Sequence, residues 1–173
     1  KYKNWTKEDL YSFRPAMAYL LHNLKQLYPD MKIYVLMNSD MKDETDESIR
    51  TICKKYKVDA VVNAGWLTVL SSKIITEYEG RMINLHPALL PKFGGVGMWG
   101  HHVHEAVIAA KETESGCTVH FVDGGCDTGK IIVQKKVPVL EGDTPDSLYA
   151  RIAPEEHKAI VEGTCILAEM LNK

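Results

Sequence analysis

This sequence predicts an α/β fold built on a mostly parallel, open, twisted sheet with flanking helices. Three observations carry that prediction. Residues 31–66 run strand, helix, strand, the order of a parallel βαβ unit. The same alternation continues through a further short helix, strand and helix to residue 111. Each apolar run is bounded by Gly, Pro, Asn or Asp, the residues that stop a strand or helix.

In Pro15–Leu27 the apolar residues Ala16, Met17, Leu20, Leu21, Leu24 and Leu27 recur at spacings of three and four, and Pro15 suits a first helical turn. MKIYVLMN (Met31–Asn38) is short, apolar and β-branched, as a strand should be. DETDESIRTICKKYK begins acidic and ends basic, which complements a helix macrodipole, and VDAVVNAGW returns to a buried strand. A short helix near Ser72–Tyr78, a strand RMINLH and a helix over His101–Lys111 follow. GCTVHFV and KIIVQKKVPV are two strands joined by the turn-prone DGGCDTG. The chain then runs as helix from Thr144, with an N-cap in GDTPD and with Pro154 expected to interrupt or kink it.

The 173 residues suffice for one domain with a substantial core. A hydrophobic fraction of 45%, a charged fraction of 25% and a net charge of -2 argue against nucleic-acid or membrane partners recruited by bulk electrostatics, and favour small molecules. Cys53, Cys117, Cys126 and Cys165 show no zinc or redox spacing, and no secretory or spanning segment is visible, so a cytoplasmic location is expected. His101, His102 and His104 lack companion ligands and read as a solvated helix start, with no metal expected. The chain opens on Lys1, which points to a fragment or processed form, and the oligomeric state is not legible.

In open α/β sheets ligands sit beyond the carboxyl ends of the strands. MINLHPALLPKFGG places Asn84 and His86 two apart on a strand, so their side chains share a face. An amide and an imidazole so placed can act on one oxygen as negative charge develops there. Pro87 and Pro91 stiffen the exit, and Asp127, in the loop after the next strand, is a candidate to raise the imidazole pKa by its charge. The bland alternative is a structural histidine and an Asx-type turn former.

VVNAGWLTVLSSKIITEYEGRMINLHPALLPKFGG and SGCTVHFVDGGCDTGKIIVQKKVPV resemble, in the same order, motifs of the phosphoribosylglycinamide formyltransferase family, and the final helix carries that family's Glu-His pair as Glu156 and His157. The resemblance covers about two thirds of the chain, which implies formyl transfer from 10-formyltetrahydrofolate, as co-substrate, to the amine of glycinamide ribonucleotide in purine synthesis. It implies a catalytic trio of Asn84, His86 and Asp127, and pterin contacts from Leu67, Val69 and Leu70. A closing loop of Asp123, Gly124, Gly125 and Cys126, and substrate contacts from Pro87 and Glu156, are implied as well.

The family's first strand and the glycine-rich loop that binds substrate phosphate are missing or replaced, since residues 1–57 contain no glycine. Part of that segment resembles an interior stretch of SGNH-type esterases without their catalytic blocks. The expected organisation is an atypical βα segment over residues 1–57 and a catalytic region over 58–173, in one compact domain. Alternatives are an inactive, folate-binding relative or fusion, and formyl transfer to another amine.

Overall fold

A computed structural model describes residue 22 and residues 25–37, 46–64 and 70–173. Of the helix expected over Pro15–Leu27, residues 22 and 25–27 are helical, and the rest lies outside the described residues. The elements are β1 (Ile33–Met37), α1 (Asp46–Tyr56), β2 (Ala60–Ala64), α2 (Ser72–Glu77), β3 (Met82–His86), α3 (His101–Ala109), β4 (Glu114–Phe121), β5 (Ile131–Pro138) and α4 (Pro145–Leu171).

The five strands lie side by side in chain order. β1–β2 and β2–β3 pair parallel, while β3–β4 and β4–β5 pair antiparallel. The sheet is therefore mixed: α1 and α2 supply the crossovers of its parallel part, while β4 returns antiparallel to β3 after α3 and pairs with β5 across the loop over 122–130. All five residues of β2 are buried, as expected for a parallel strand covered on both faces.

Strand alternation sorts the core into two layers. Val61 and Met82 point to one face and join Ile49, Cys53, Ile74 and Tyr78 from α1, α2 and the turn after α2. Val62, Ile83, Leu85 and Val119 point to the other and join Leu148, Ile152, Ile160 and Leu167 of α4. Ile49 and Cys53, one turn apart, are the buried stripe of α1, and the helix opens on Asp46 and Glu47 and closes on Lys54 and Lys55 as its dipole prefers. Arg50 crosses from α1 to α2, donating from Nε to Glu77 Oε2 at 3.0 Å.

α4 is capped by Thr144, whose hydroxyl accepts from the Ser147 amide at 3.2 Å while Ser147 Oγ accepts from the Thr144 amide at 2.9 Å, with Pro145 in the first turn. Of the interruption or kink expected at Pro154, the interruption does not occur, since the helix is continuous through it. Pro154 lies on the exposed side, so the carbonyl deprived of its N–H partner faces water, while Ile152, Ala159 and Ile160 hold the helix to the sheet. α4 reaches the sheet closely at Gly163, where a Cβ would stand 2.6 Å from Val119 Cγ1.

Candidate functional site

The antiparallel pairing of β3 with β4 sets Asn84 opposite His120 and His86 opposite Thr118. His120 Nδ1 donates to the Phe121 carbonyl at 2.8 Å, which leaves Nε2 to accept from Asn84 Nδ2 at 3.2 Å. His86 Nε2 donates to the Phe93 carbonyl at 2.8 Å, so its second proton would go on Nδ1, which lies 3.5 Å from Asp127 Oδ2. Asp127 Oδ1 lies 3.5 Å from His120 Nε2. One carboxylate thus stands between two buried histidines, and Asn84, His120, Asp127 and His86 form a single chain of polar contacts.

Loop geometry holds Asp127 there. Its φ of 57° lies in the left-handed region, which Asp tolerates better than most side chains, and Gly95 N donates to its Oδ2 at 3.0 Å. Gly94 permits this approach, because a Cβ would sit 2.5 Å from Leu90 Cδ2 and 3.2 Å from Asp127 Cβ. The Pro87–Pro91 segment is pinned by Thr118, whose Oγ1 accepts from Leu90 N at 3.1 Å and donates to the Ala88 carbonyl at 2.6 Å. Gln134 Nε2 adds a bond to the Leu90 carbonyl at 2.9 Å.

Burial pushes the His86 pKa below its ordinary value, and the Asp127 charge and the Phe93 carbonyl only partly offset this, while His120 adds to the lowering. Asp127 acts in the expected upward direction, but the net sign corrects the sequence expectation: desolvation of a 3% exposed ring outweighs one neighbouring carboxylate. Burial pushes Asp127 up, yet its close approach to His120, the His86 charge and the Gly95 amide together hold it below the usual carboxylate range.

The other expected residues are less unified. Leu67 and Val69 lie outside the described residues, and Leu70 is buried in the α1–α2 core layer. Asp123 uses Oδ1 within its own loop, accepting from the Gly125 amide at 3.0 Å and from Thr128 Oγ1 at 2.6 Å, and the Thr128 bond leads in lowering its pKa. Gly124 is open to substitution by space, whereas a Cβ at Gly125 would meet Thr128 Oγ1 at 2.0 Å. Cys126 is exposed, with Sγ 3.8 Å from Asp127 Oδ2, and Pro87 is half-buried at the strand exit. A cavity of about 400 Å³ opens beside Asp127, between Leu90, Pro91, Gly94, Gly95, Thr128 and Ile131. A smaller one of about 190 Å³, between Leu89, Phe93 and Val107, is lined by neither Asn84, His86 nor Asp127.

Glu156 sits on α4, close enough to Cys117 and Tyr149 to raise both pKa values, and its own is pushed up to about 7 by burial. It has no hydrogen bond or ion pair with Asn84, His86 or Asp127. His101 and His102 are exposed as expected, but His104 is 1% exposed, turned inward with Val103 and Val107. Among the described residues no group of three His, Cys, Asp or Glu side chains could hold a metal, and no helix is long and apolar enough to cross a membrane.

Sequence reasoning missed His120, Thr118 and Gln134. For the first two the signal was present, Thr118 and His120 alternating with the apolar Val119, but its meaning depended on knowing which strand lay alongside.

A family model described as formyl transferase matches residues 13–164, a span that takes in β1, α1 and part of the stretch likened to esterases. The chain is 47% identical over 116 residues to the chloroplastic phosphoribosylglycinamide formyltransferase of Vigna unguiculata, covering 67% of this chain and 37% of that protein. Against the phosphoribosylglycinamide formyltransferase of Escherichia coli K12 the identity is 37% over 118 residues, covering 68% and 53%. A crystal structure of phosphoribosylglycinamide formyltransferase from Bacillus halodurans superposes with a TM-score of 0.70 at 26% identity, covering 94% of this chain and 92% of that one. The chain therefore spans between about a third and about half of these two curated relatives.

Proposed function

The chain belongs to the formyl transferase family, and from that premise we propose that it transfers the formyl group of 10-formyltetrahydrofolate to the amine of glycinamide ribonucleotide, as a step of purine synthesis in the cytoplasm. The observation that carries the reading is the contact chain Asn84–His120–Asp127–His86 at the β3–β4 seam.

In the proposed reaction the substrate amine forms a bond to the formyl carbon, whose oxygen becomes an oxyanion. The bond from that carbon to N10 then breaks, the amine nitrogen loses one proton and N10 gains one. Asn84 Nδ2 carries two hydrogens and gives one to His120, so the other is available to the oxyanion. His86 becomes a cation by protonation at Nδ1, where Asp127 stabilises the charge beside the developing oxyanion. Asp127 supports the histidine and the water that carries the proton between the two nitrogens. The pterin is assigned to Leu67, Val69 and Leu70 and to the Asp123–Asp127 loop, with the cavity beside Asp127 at its border. Pro87 and Glu156 are assigned to the substrate. A carboxyl with a pKa near 7 and no hydrogen-bond or ion-pair partner among the described residues suits recognition of an amine, whose charge would favour the ionised form.

The second reading is a folate-binding relative with weak turnover. Residues 1–57 carry no glycine, so they hold no glycine-rich loop of amides for a phosphate, and we assign the reacting groups to residues 58–173, with β1 and α1 completing the same sheet and core. Arg14 is the candidate substitute as a phosphate fork. Mixing the protein with 10-formyltetrahydrofolate, with and without glycinamide ribonucleotide, and following deformylation by absorbance separates the readings. Transfer that requires the ribonucleotide supports the first, and folate binding without turnover supports the second.

A further inference from the structure

The smaller cavity, of about 190 Å³, lies apart from the contact chain, between α3, the start of β4 and the Leu89–Phe93 segment. It shares no lining residue with the larger cavity beside Asp127. Leu89, Phe93 and Val107 form an apolar wall. An apolar cavity of about 150 Å³ is enough to take up benzene, so this one has room for a ring or a branched alkyl group.

The rest of the lining is polar and incompletely paired. Ser115, the second residue of β4, is 2% exposed, and its Oγ has no hydrogen-bond partner among the described residues. A buried hydroxyl of this kind calls for a partner, and it can turn to suit a donor or an acceptor. Glu112 and Glu114 line the same cavity, and each uses one oxygen on a lysine: Glu112 Oε1 accepts from Lys92 at 2.8 Å and Glu114 Oε2 from Lys136 at 3.0 Å. Glu112 Oε2 and Glu114 Oε1 are left over. The charged residues of the lining are these two carboxylates and the Lys92 ammonium, which makes the cavity net negative. A water on the Ser115 hydroxyl would leave the apolar wall without the contacts that a hydrocarbon group makes.

We propose that this cavity is a second ligand site, for a small primary ammonium carried on an apolar body, of the arylmethylamine or branched alkylamine type. The body fills the space between Leu89, Phe93 and Val107. The ammonium, with three N–H donors, bonds the two leftover carboxylate oxygens and Ser115 Oγ. Both lysine pairs stay intact, because the ligand takes the oxygens they do not use. Charge and hydrogen bonding act together at such contacts, so a neutral compound of the same shape binds less tightly. The site is independent of the reaction assigned to Asn84 and His86, yet it adjoins that machinery through Phe93, which lines the cavity and whose carbonyl accepts from His86 Nε2 at 2.8 Å.

The test is calorimetry on the full chain at neutral pH with benzylamine and benzyl alcohol, which share a shape and differ in charge. The parent is expected to prefer benzylamine about tenfold, and Glu112→Gln and Ser115→Val each to bind benzylamine about tenfold less tightly than the parent. Either variant suffices if the other fails to fold. Methyl NMR locates the ligand: Leu89 and Val107 resonances should move with benzylamine, and those of Ile131, which lines the larger cavity, should not. Absence of benzylamine binding, equal affinity for the two compounds, undiminished binding in a folded variant, or shifts confined to Ile131 would each overturn the proposal. None of these results bears on formyl transfer, which the deformylation assay tests separately.

Discussion

Two regions of this molecule bury histidine, and they treat it in opposite ways. At the β3–β4 seam His86 and His120 flank Asp127, and each also donates to a backbone carbonyl. Between α3 and α4 the ring of His104 lies 5.6 Å from that of Tyr149, its Nδ1 has no partner, and burial pushes its pKa down to about 4. The comparison shows what burial alone does to an imidazole: it fixes the neutral form and makes a core residue. A carboxylate beside the buried His86 ring opposes that effect, and offsets part of the lowering that burial imposes there.

The largest effect expected from breaking this contrast is on catalysis. Removing a group that stabilises an oxyanion typically costs about 10²–10³ in rate, or roughly 3–4 kcal/mol. His86→Ala should lose at least that in kcat while calorimetry still detects tetrahydrofolate. His104→Leu, which removes a ring of comparable burial, should lose less than tenfold per folded molecule. Similar losses in both would dissolve the distinction between the regions.

Next in size is the effect of acid. The folded-state pKa of His104 lies below the ordinary 6.5, so between about pH 6.5 and 4 the unfolded chain binds more protons and stability rises with pH. Its full contribution is present above pH 6.5 and is lost as pH falls through 4, on the order of 2 kcal/mol after allowing for solvent relaxation around the ring. His86, also lowered, contributes with the same sign. Urea unfolding of parent and His104→Leu across that range should show a flatter profile in the variant. Parallel profiles would remove His104 as the acid-sensitive group.

Thr118→Val tests the support beneath the seam. It keeps the shape but leaves Leu90 N and the Ala88 carbonyl without their buried partner, at a cost of about 1–3 kcal/mol. Thermal unfolding should register that loss, and kcat should fall as the Pro87–Pro91 segment loosens. The smallest effect is the most diagnostic. Asp127→Asn removes the charge that raises the His86 pKa, so the imidazole should titrate still lower, in the direction of His104, and activity should shift toward acid pH. NMR titration of both proteins reads this directly, and an unmoved His86 would end the pairing argument.

Much of the candidate site was visible in the sequence because it is local. Asn84 and His86 share a face since a strand has period two, and Pro87 and Pro91 mark the exit wherever β3 is placed. Asp127 stood out by its loop. His120 carried the same signal as His86 and was passed over, because its relation to Asn84 arises only when β4 turns back antiparallel against β3. Glu156 and Leu70 matched motifs, yet Leu70 packs in the α1–α2 core layer and Glu156 lies near Cys117 and Tyr149, so neither joins the trio.

What the sequence determined by itself is therefore the set of elements and their faces: apolar runs that must be strands, an α1 charged to suit its dipole, an α4 started by Thr144 and Pro145. These follow from rules acting over a turn of helix or a pair of residues. The tertiary structure alone decided that α4 continues past Pro154, that Gly94 admits Asp127, that His86 is lowered although a carboxylate faces it, and that Ser115 is left with an unpaired buried hydroxyl at a cavity. Each of these depends on what lies next to a residue across the sheet and how much water is excluded there, and packing between distant segments sets both quantities.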